Sequence, residues 1–269
     1  MSLPNHAEGP QGSKVQNSLD KTTMIEYSFS SEIAEADRPV LLESRIYKEW
    51  LERSQEKFVV TKVHFSSADF LRKGRQPLFI KLSATATLPD GRPVHGIVLV
   101  RGNAVGVLVV LRCEGKKYLL LVRQPRFAIG EQASLEIPAG ILDWTGDYRK
   151  VALSELEEEA QIKADDSELI DLMDFWYKGK SEGFAASCGL LDERIRLYAI
   201  ERDVTPEQLK AMDGRDQEYT EEIEWIKTVV LPYEEAAHEF IDGKNLIALF
   251  LYERWLDSRR ENASLQTRD

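Results

Sequence analysis

Cysteine is scarce in this sequence: two residues in 269, Cys113 and Cys188. They form no Cys-x-x-Cys pair and stand near no set of histidines, which argues against a disulfide scaffold and a zinc site. Reduced thiols in an intracellular, cytoplasmic setting are the simple expectation. Long apolar runs are missing too. The longest, over 105–111, has the length of a strand and falls far short of the ~18 residues of a membrane span, so no membrane association is expected. The first 20 residues are polar and poor in arginine, so neither a secretory signal nor a transit peptide is read there. Basic surplus is the third absence. With 35 Lys and Arg against 46 Asp and Glu, the net charge of −11 leaves no basic stripe for nucleic acid.

What the sequence does have is a globular balance, 43% hydrophobic and 30% charged, on a chain long enough to bury a core unaided. Its carboxylates are available for hard cations. A small phosphorylated substrate would therefore need a metal and a few local arginines.

Hydropathy patterning predicts a polar tail over 1–36 and a short amphipathic helix over 44–55, with Ile46, Trp50 and Leu51 at helical spacing. Strands are predicted at 58–65, 77–88 and 92–100, the last two joined by Pro89-Asp-Gly-Arg92. Together, 37–100 reads as a small antiparallel β region. Nearly continuous apolar strands follow at 104–111 and 117–124, with a turn at 113–116. Further along, the pattern predicts a helix over 147–161, strands at 169–176, 194–201 and 222–231, and helices at 233–241 and 245–259. Strands dominate with helices outside them, which gives an α+β fold or an α/β/α sandwich. Residues 101–260 form the main domain, and 261–269 a second tail.

The segment with chemistry in it is Gly140-Ile-Leu-Asp-Trp-Thr-Gly-Asp-Tyr-Arg-Lys-Val-Ala-Leu-Ser-Glu-Leu-Glu-Glu-Glu-Ala-Gln-Ile162. At about 100° per residue, Ala152, Leu153, Leu156 and Ala160 share one core-facing arc. Glu155, Glu158 and Glu159 share another, whereas Glu157 lies elsewhere as a surface charge. Three carboxylates on one patch repel each other, and near a helix C-terminus they also oppose its dipole. A divalent cation relieves both effects; without further context, such a run is only a solvated acidic face.

The context is a resemblance. The spacing is similar to the Nudix box, G-x5-E-x7-R-E-U-x-E-E-x-G-U with U apolar, in which Gly140, Glu155, Leu156, Glu158, Glu159 and Ile162 fall at matching places. Glu136-Ile-Pro-Ala resembles the strand that enters the box. Three positions depart from it: Gly146 replaces the first glutamate (Asp147 follows), Ser154 the arginine and Gln161 the glycine. The arginine holds a helix glutamate toward the metal, and Ser154 cannot supply its charge. Gln161 makes a left-handed helix end less favourable. The resemblance implies a Nudix α/β/α sandwich preceded by the small N-terminal β region.

Across 40–258 the chain resembles the ADP-sugar and ADP-ribose pyrophosphatase branch, plant-type ADP-sugar diphosphatases above all. The pieces are Tyr47-Lys-Glu-Trp-Leu51, Val100-Arg-Gly-Asn-Ala-Val105, Val122-Arg-Gln-Pro-Arg-Phe127, Glu136–Gly140 and Ile241-Asp-Gly-Lys-Asn-Leu-Ile-Ala-Leu249. That likeness implies a homodimer exchanging its N-terminal β regions, and a nucleotide-sugar substrate. It implies Mg²⁺, with Mn²⁺ as an alternative, held by Glu155, Glu158, Glu159 and the Ala139 carbonyl. Arg126 would meet the diphosphate, since a planar, permanently charged fork suits phosphate oxygens. Arg101 would either support that pocket or make a structural ion pair, and Glu136 would either contact the substrate or support its neighbours. Matching Glu224-Trp-Ile226 to the family's strand entrance selects Glu222 as the general base, with Glu221 and Glu224 as rivals. The stretch from Ser187 to Glu193 resembles a loop near the sugar end, with Cys188 expected as a small packing residue.

Two functions from different classes follow. One is Mg²⁺-dependent hydrolysis of an ADP-linked sugar, ADP-ribose or ADP-glucose, to AMP and a sugar phosphate. The other is a nucleotide-sugar binding or sensing module with a weakened site, suggested by the three departures.

Overall fold

A computed structural model of the protein describes residues 24–71, 76–142, 145–216 and 225–266. Its strands form two sheets. The N-terminal one holds β1 (Glu26–Phe29), β2 (Val59–Phe70), β3 (Pro77–Thr87) and β4 (Pro93–Val100) in that spatial order. The β3–β4 hairpin turns at Gly91, whose φ of 86° is why the Asp-Gly pair is there. Helices α1 (Arg38–Glu43) and α2 (Arg45–Gln55) cover one face, where Leu41, Ile46, Tyr47 and Trp50 pack on Val63, Phe65, Ile80 and Leu82. Leu51 is only half-buried, and Tyr47 takes the core place expected for it.

Two expectations change here. Residues 26–29 are not part of a tail: they form β1, running parallel to β2, so the sheet is not wholly antiparallel. A four-residue strand has too little pattern of its own to read; the β2 edge supplies its hydrogen bonds.

The second sheet carries the order β10 (Phe184–Ala185), β11 (Arg194–Asp203), β5 (Ala104–Cys113), β6 (Lys116–Arg126), β12 (Lys227–Pro232). Alternate residues of β5 face opposite layers. Leu108 and Val110 meet α4 (Leu172–Tyr177) and α7 (Gly243–Gln266), through Leu172, Met173, Leu251 and Tyr252. Val105, Val107, Val109 and Leu111 meet α3 (Tyr148–Glu158), through Val151, Ala152 and Leu156. The three-layer α/β/α arrangement follows from this double burial. Leu153 of the expected core arc is half-buried and Val151 is buried instead.

The sheet is split where the site lies. β5 and β6 pair only from Val109 and Leu120 to the hairpin end. Beyond that they diverge, and β7 (Glu131–Glu136) lies on β6 while β8 (Ala139–Ile141) lies on β5. The chain crosses the gap at Ile137-Pro138. Pro138 has no N–H to satisfy there, and its carbonyl accepts from Val107 N–H at 2.9 Å. The fully buried Asn245 side chain completes the crossing, accepting from Ile137 N–H at 3.0 Å and donating to the Leu135 carbonyl at 2.8 Å. It stands in for a missing strand neighbour.

Elsewhere, the strand expected over 169–176 is a two-residue strand, β9 (Ile170–Asp171), followed by α4. The Asp171 side chain accepts from Asp174 N–H at 2.8 Å and starts the helix. Pro206–Met212 forms α5, unread in the sequence although Thr205 and Gln208 make a reciprocal capping box. The strand expected from 222 is described from Lys227, and 222–224 lie outside the described residues. The helix expected over 233–241 is α6 (Tyr233–Ala236) and one further turn. The tail expected from 261 is helical to Gln266, as part of α7. No helix among the described residues is long and apolar enough to cross a membrane.

The two sheets are braced together. Asp192 accepts from Arg101 N–H at 2.8 Å and Gly102 N–H at 3.3 Å, and from Arg53 of α2 at 3.1 Å. Gly102, at φ 78°, passes so close to Ile46 that an added Cβ would lie 2.8 Å from it.

Candidate active site

The split in the sheet faces α3. That helix begins at Asp147, whose carboxylate accepts from Arg149 and Lys150 N–H, both at 3.1 Å. Asp147 is therefore committed to the cap and does not replace the box glutamate that Gly146 lacks. At the other end, Gln161 adopts a left-handed φ of 53°, and Ile162 N–H closes onto the Leu156 carbonyl at 2.9 Å. The geometry that favours glycine is kept although glycine is not.

Between these ends, Glu155 and Glu159 reach the start of β8. Glu159, 6% exposed, accepts from Ala139 N–H at 2.9 Å. Glu155 lies against Gly140: a Cβ built there would fall 1.7 Å from Glu155 Oε1. No other residue at 140 leaves that carboxylate its place. Glu158 sits at the rim, exposed, and accepts from Ser154 Oγ at 2.6 Å. The expected convergence of three carboxylates is thus a meeting of two on residues 139–140. Among the described residues no three His, Cys, Asp or Glu side chains gather closely enough to hold a metal ion. Glu158 and Glu159 each have a separate donor, and like-charge repulsion favours that dispersal. Glu157 behaves as expected, pairing with exposed Lys163 at 3.2 Å.

The donors around 139–140 are all oxygen, with neither thiolate nor imidazole. Such a set fits a hard divalent cation, and the room Gly140 leaves for Glu155 is consistent with it.

A second group of charges lies beside the glutamates. Arg126, at the end of β6, grips Glu136 with Nε at 2.7 Å and Nη2 at 2.8 Å. Glu136 is 1% exposed whereas the Arg126 side chain is 40% exposed. One edge of the guanidinium is therefore anchored inside and the other faces outward. Lys244, in the first turn of α7, also donates to Glu136, and to Asp242 at 2.5 Å. Burial alone would push the Glu136 carboxyl up; hydrogen bonds from Arg126 and the charge of Lys244 more than offset this and hold it down to about 2. Arg126 is pushed up, first by its bond to Glu136, and Glu159 is among the charges that act on it.

Arg101 pairs with buried Glu193 at 3.2 Å and lies over the Phe79 ring at 5.7 Å. Burial raises the Glu193 carboxyl, and Lys244 and Asp242 are close enough to act on it. Arg101 thus borders the same charged group while making an ion pair of its own. Asp192, expected near the substrate, serves as the brace described above. Cys188 is exposed, contrary to the packing role expected of it, because its loop lies outside the core; Cys113 is buried, and both thiols are free.

Glu221, Glu222 and Glu224 lie outside the described residues. Their flanks are anchored near the end of α3: Asp216 pairs with Lys227, and the Gln161 side chain donates to the Asp216 carbonyl at 3.2 Å.

Asp242, Lys244 and Asn245 lie in the Ile241–Leu249 stretch and Glu193 in the Ser187–Glu193 stretch quoted for the resemblance, but the sequence assigns none of them a site role of its own. The signal for three of them was Asp242-Gly-Lys-Asn245 at the head of an apolar helix: two such side chains in its first turn are either solvated or bound to something specific.

The NUDIX domain family model matches residues 100–247, more than half of the chain. The chain therefore belongs to the Nudix family and is a hydrolase. It is 29% identical over 236 residues to Nudix hydrolase 14, chloroplastic, of Arabidopsis thaliana, covering 84% of this chain and 75% of that protein. The methanol dehydrogenase activator of Bacillus methanolicus is 30% identical over 162 residues, 60% of this chain and 78% of its own length. A solved structure of an ADP compounds hydrolase matches with a TM-score of 0.50 at 20% identity, covering 76% of this chain and 96% of that one, and supports the fold.

Proposed function

We propose that this hydrolase cleaves the diphosphate bond of an ADP-sugar, ADP-ribose or ADP-glucose, to AMP and a sugar phosphate. The observation that carries this reading is the half-anchored Arg126 beside Glu159. A guanidinium fixed on one edge by buried Glu136 presents its outer N–H groups where a diphosphate would lie against the glutamate helix. The sequence pieces around Arg126 and Glu136, shared with ADP-sugar and ADP-ribose pyrophosphatases, favour that substrate class.

Glu155, Glu158, Glu159 and the Ala139 carbonyl are proposed to hold Mg²⁺, with Mn²⁺ as an alternative. When bound, the cation supplies charge stabilisation for the diphosphate oxygens. Arg126 orients the diphosphate, and Arg101, paired with Glu193, supports the same charged group. Glu222 accepts the proton of the attacking water, with Glu221 and Glu224 as rivals. Water oxygen bonds to phosphorus as the bridging P–O bond breaks, and the bridging oxygen leaves with AMP or the sugar phosphate.

A homodimer is proposed through the N-terminal sheet, where edge strand β4 presents Ile97, 58% exposed. The two free thiols suit a reducing, cytoplasmic setting. A competing reading is a nucleotide-sugar binding module with little turnover; Glu158, held only by the neutral Ser154 hydroxyl where the box has an arginine, favours it.

A panel of nucleoside diphosphate sugars with Mg²⁺ and Mn²⁺, products identified by mass, tests this. AMP released from an ADP-sugar supports the proposal. Preference for a dinucleotide or nucleoside triphosphate overturns the substrate class, and tight binding without turnover selects the module.

A further inference from the structure

We propose that Lys244 is a positioning residue for the diphosphate: it shares the buried Glu136 carboxylate with Arg126 and so leaves the guanidinium's outer edge, and its charge, to the substrate. The inference rests on Arg126 as the diphosphate contact.

The argument begins with Glu136. A carboxylate 1% exposed needs hydrogen-bond donors or cations from the protein, because water cannot supply them; at Glu136 the side-chain partners are two cations. Were Arg126 its sole partner, the two charges would cancel, and burial would draw the guanidinium inward. Glu136 Oε2 instead accepts from both Arg126 Nη2 and Lys244 Nζ. Lys244, 7% exposed, has its second carboxylate in Asp242, whose side chain is 32% exposed and partly screened by water.

The order of burial therefore runs outward. Lys244 and Glu136 are buried, and Arg126 is 40% exposed on the outside. A cation at a helix N-terminus is unfavourable, yet Lys244 stands in the first turn of α7. Asp242 offsets this by accepting from Lys244 N–H at 2.8 Å as well as from Nζ. Asn245 then fixes the same turn to the strand crossing after Glu136. Lys244 is thus held at Glu136 from both sides, 108 residues away in sequence.

Calorimetry with inorganic pyrophosphate and Mg²⁺ tests the role without invoking a sugar. The proteins are the wild type, Lys244→Met, Lys244→Arg, Arg126→Ala and the Arg126→Ala/Lys244→Met double variant. Wild type binds, Lys244→Met weakens binding about tenfold, Lys244→Arg restores most of it, and Lys244→Met adds less than twofold on Arg126→Ala. The Arg126 Nε–Hε signal in ¹⁵N NMR, sharp and slowly exchanging in wild type, broadens in Lys244→Met at unchanged fold. An equal weakening with and without Arg126, no restoration by arginine, or an unperturbed Arg126 signal overturns the proposal. Should Lys244→Met not fold, Lys244→Gln is read in its place by the same criteria. Failure of wild type to bind pyrophosphate also overturns it, whereas failure to cleave any ADP-sugar while pyrophosphate binding follows this pattern defeats only the substrate reading.

Discussion

Ser154 Oγ donates to Glu158 at 2.6 Å, one turn apart on α3, at the position where the box that this helix resembles has an arginine. A hydroxyl orients that carboxylate but brings no charge. Ser154→Ala should therefore lower kcat/KM by about 3- to 10-fold, in line with the roughly 1 kcal/mol net worth of such a hydrogen bond. Ser154→Arg should raise it, because a charge-assisted fork holds Glu158 more firmly. Steady-state rates on the best ADP-sugar decide this, and equal rates for all three proteins would remove Ser154 from the site.

Glu159 carries a heavier expectation. Buried beside Ala139, it is the glutamate that metal and substrate would both feel. Glu159→Gln should reduce hydrolysis by several orders of magnitude, with a thermal midpoint within a few degrees of wild type. A thousandfold loss is about 4 kcal/mol of transition-state stabilisation, more than one neutral hydrogen bond supplies. An unchanged rate would sink the metal assignment.

Stability at the end of α3 runs the other way. Gln161 has a φ of 53°, which costs a side-chain-bearing residue about 1 kcal/mol. Gln161→Gly should raise the melting temperature by roughly 2–4 °C. The gain is reduced by loss of the side chain's bond to the Asp216 carbonyl. Differential scanning calorimetry would show it, and a lower midpoint would mean that bond outweighs the strain.

Acid should find Glu136. Its carboxyl is held at about 2 when folded, against an ordinary value of 4.5. A depressed folded value means that the group's contribution is complete above 4.5 and is lost as pH falls through about 2. Urea unfolding followed from pH 5 to 2 should show stability falling with pH, and less steeply in Glu136→Gln. Parallel slopes for the two proteins would refute the assignment.

Much of this was legible in the order of residues. The β5–β6 hairpin and α3 announce themselves through local periodicity, and the box spacing puts Glu155 and Glu159 one turn apart, so both can reach 139–140. What was misread had weak local patterns: β1 is four residues on a neighbour's edge, and 169–176 is apolar enough to suggest a strand until Asp171 caps a helix. Glu158, which accepts from Ser154 Oγ, is a different case. Helical spacing fixes where a side chain starts, but not which donor it finds.

By itself, then, the sequence determined the glutamate helix and its neighbours, because spacing along one helix is set by backbone geometry alone. Only the tertiary structure decided which charges meet. Arg126, Glu136 and Lys244 come from two strands and a distant helix, and nothing local links Glu136 to a lysine 108 residues later. Buried charges require partners, and folding must bring α7 to the split sheet before Glu136 can find its second one.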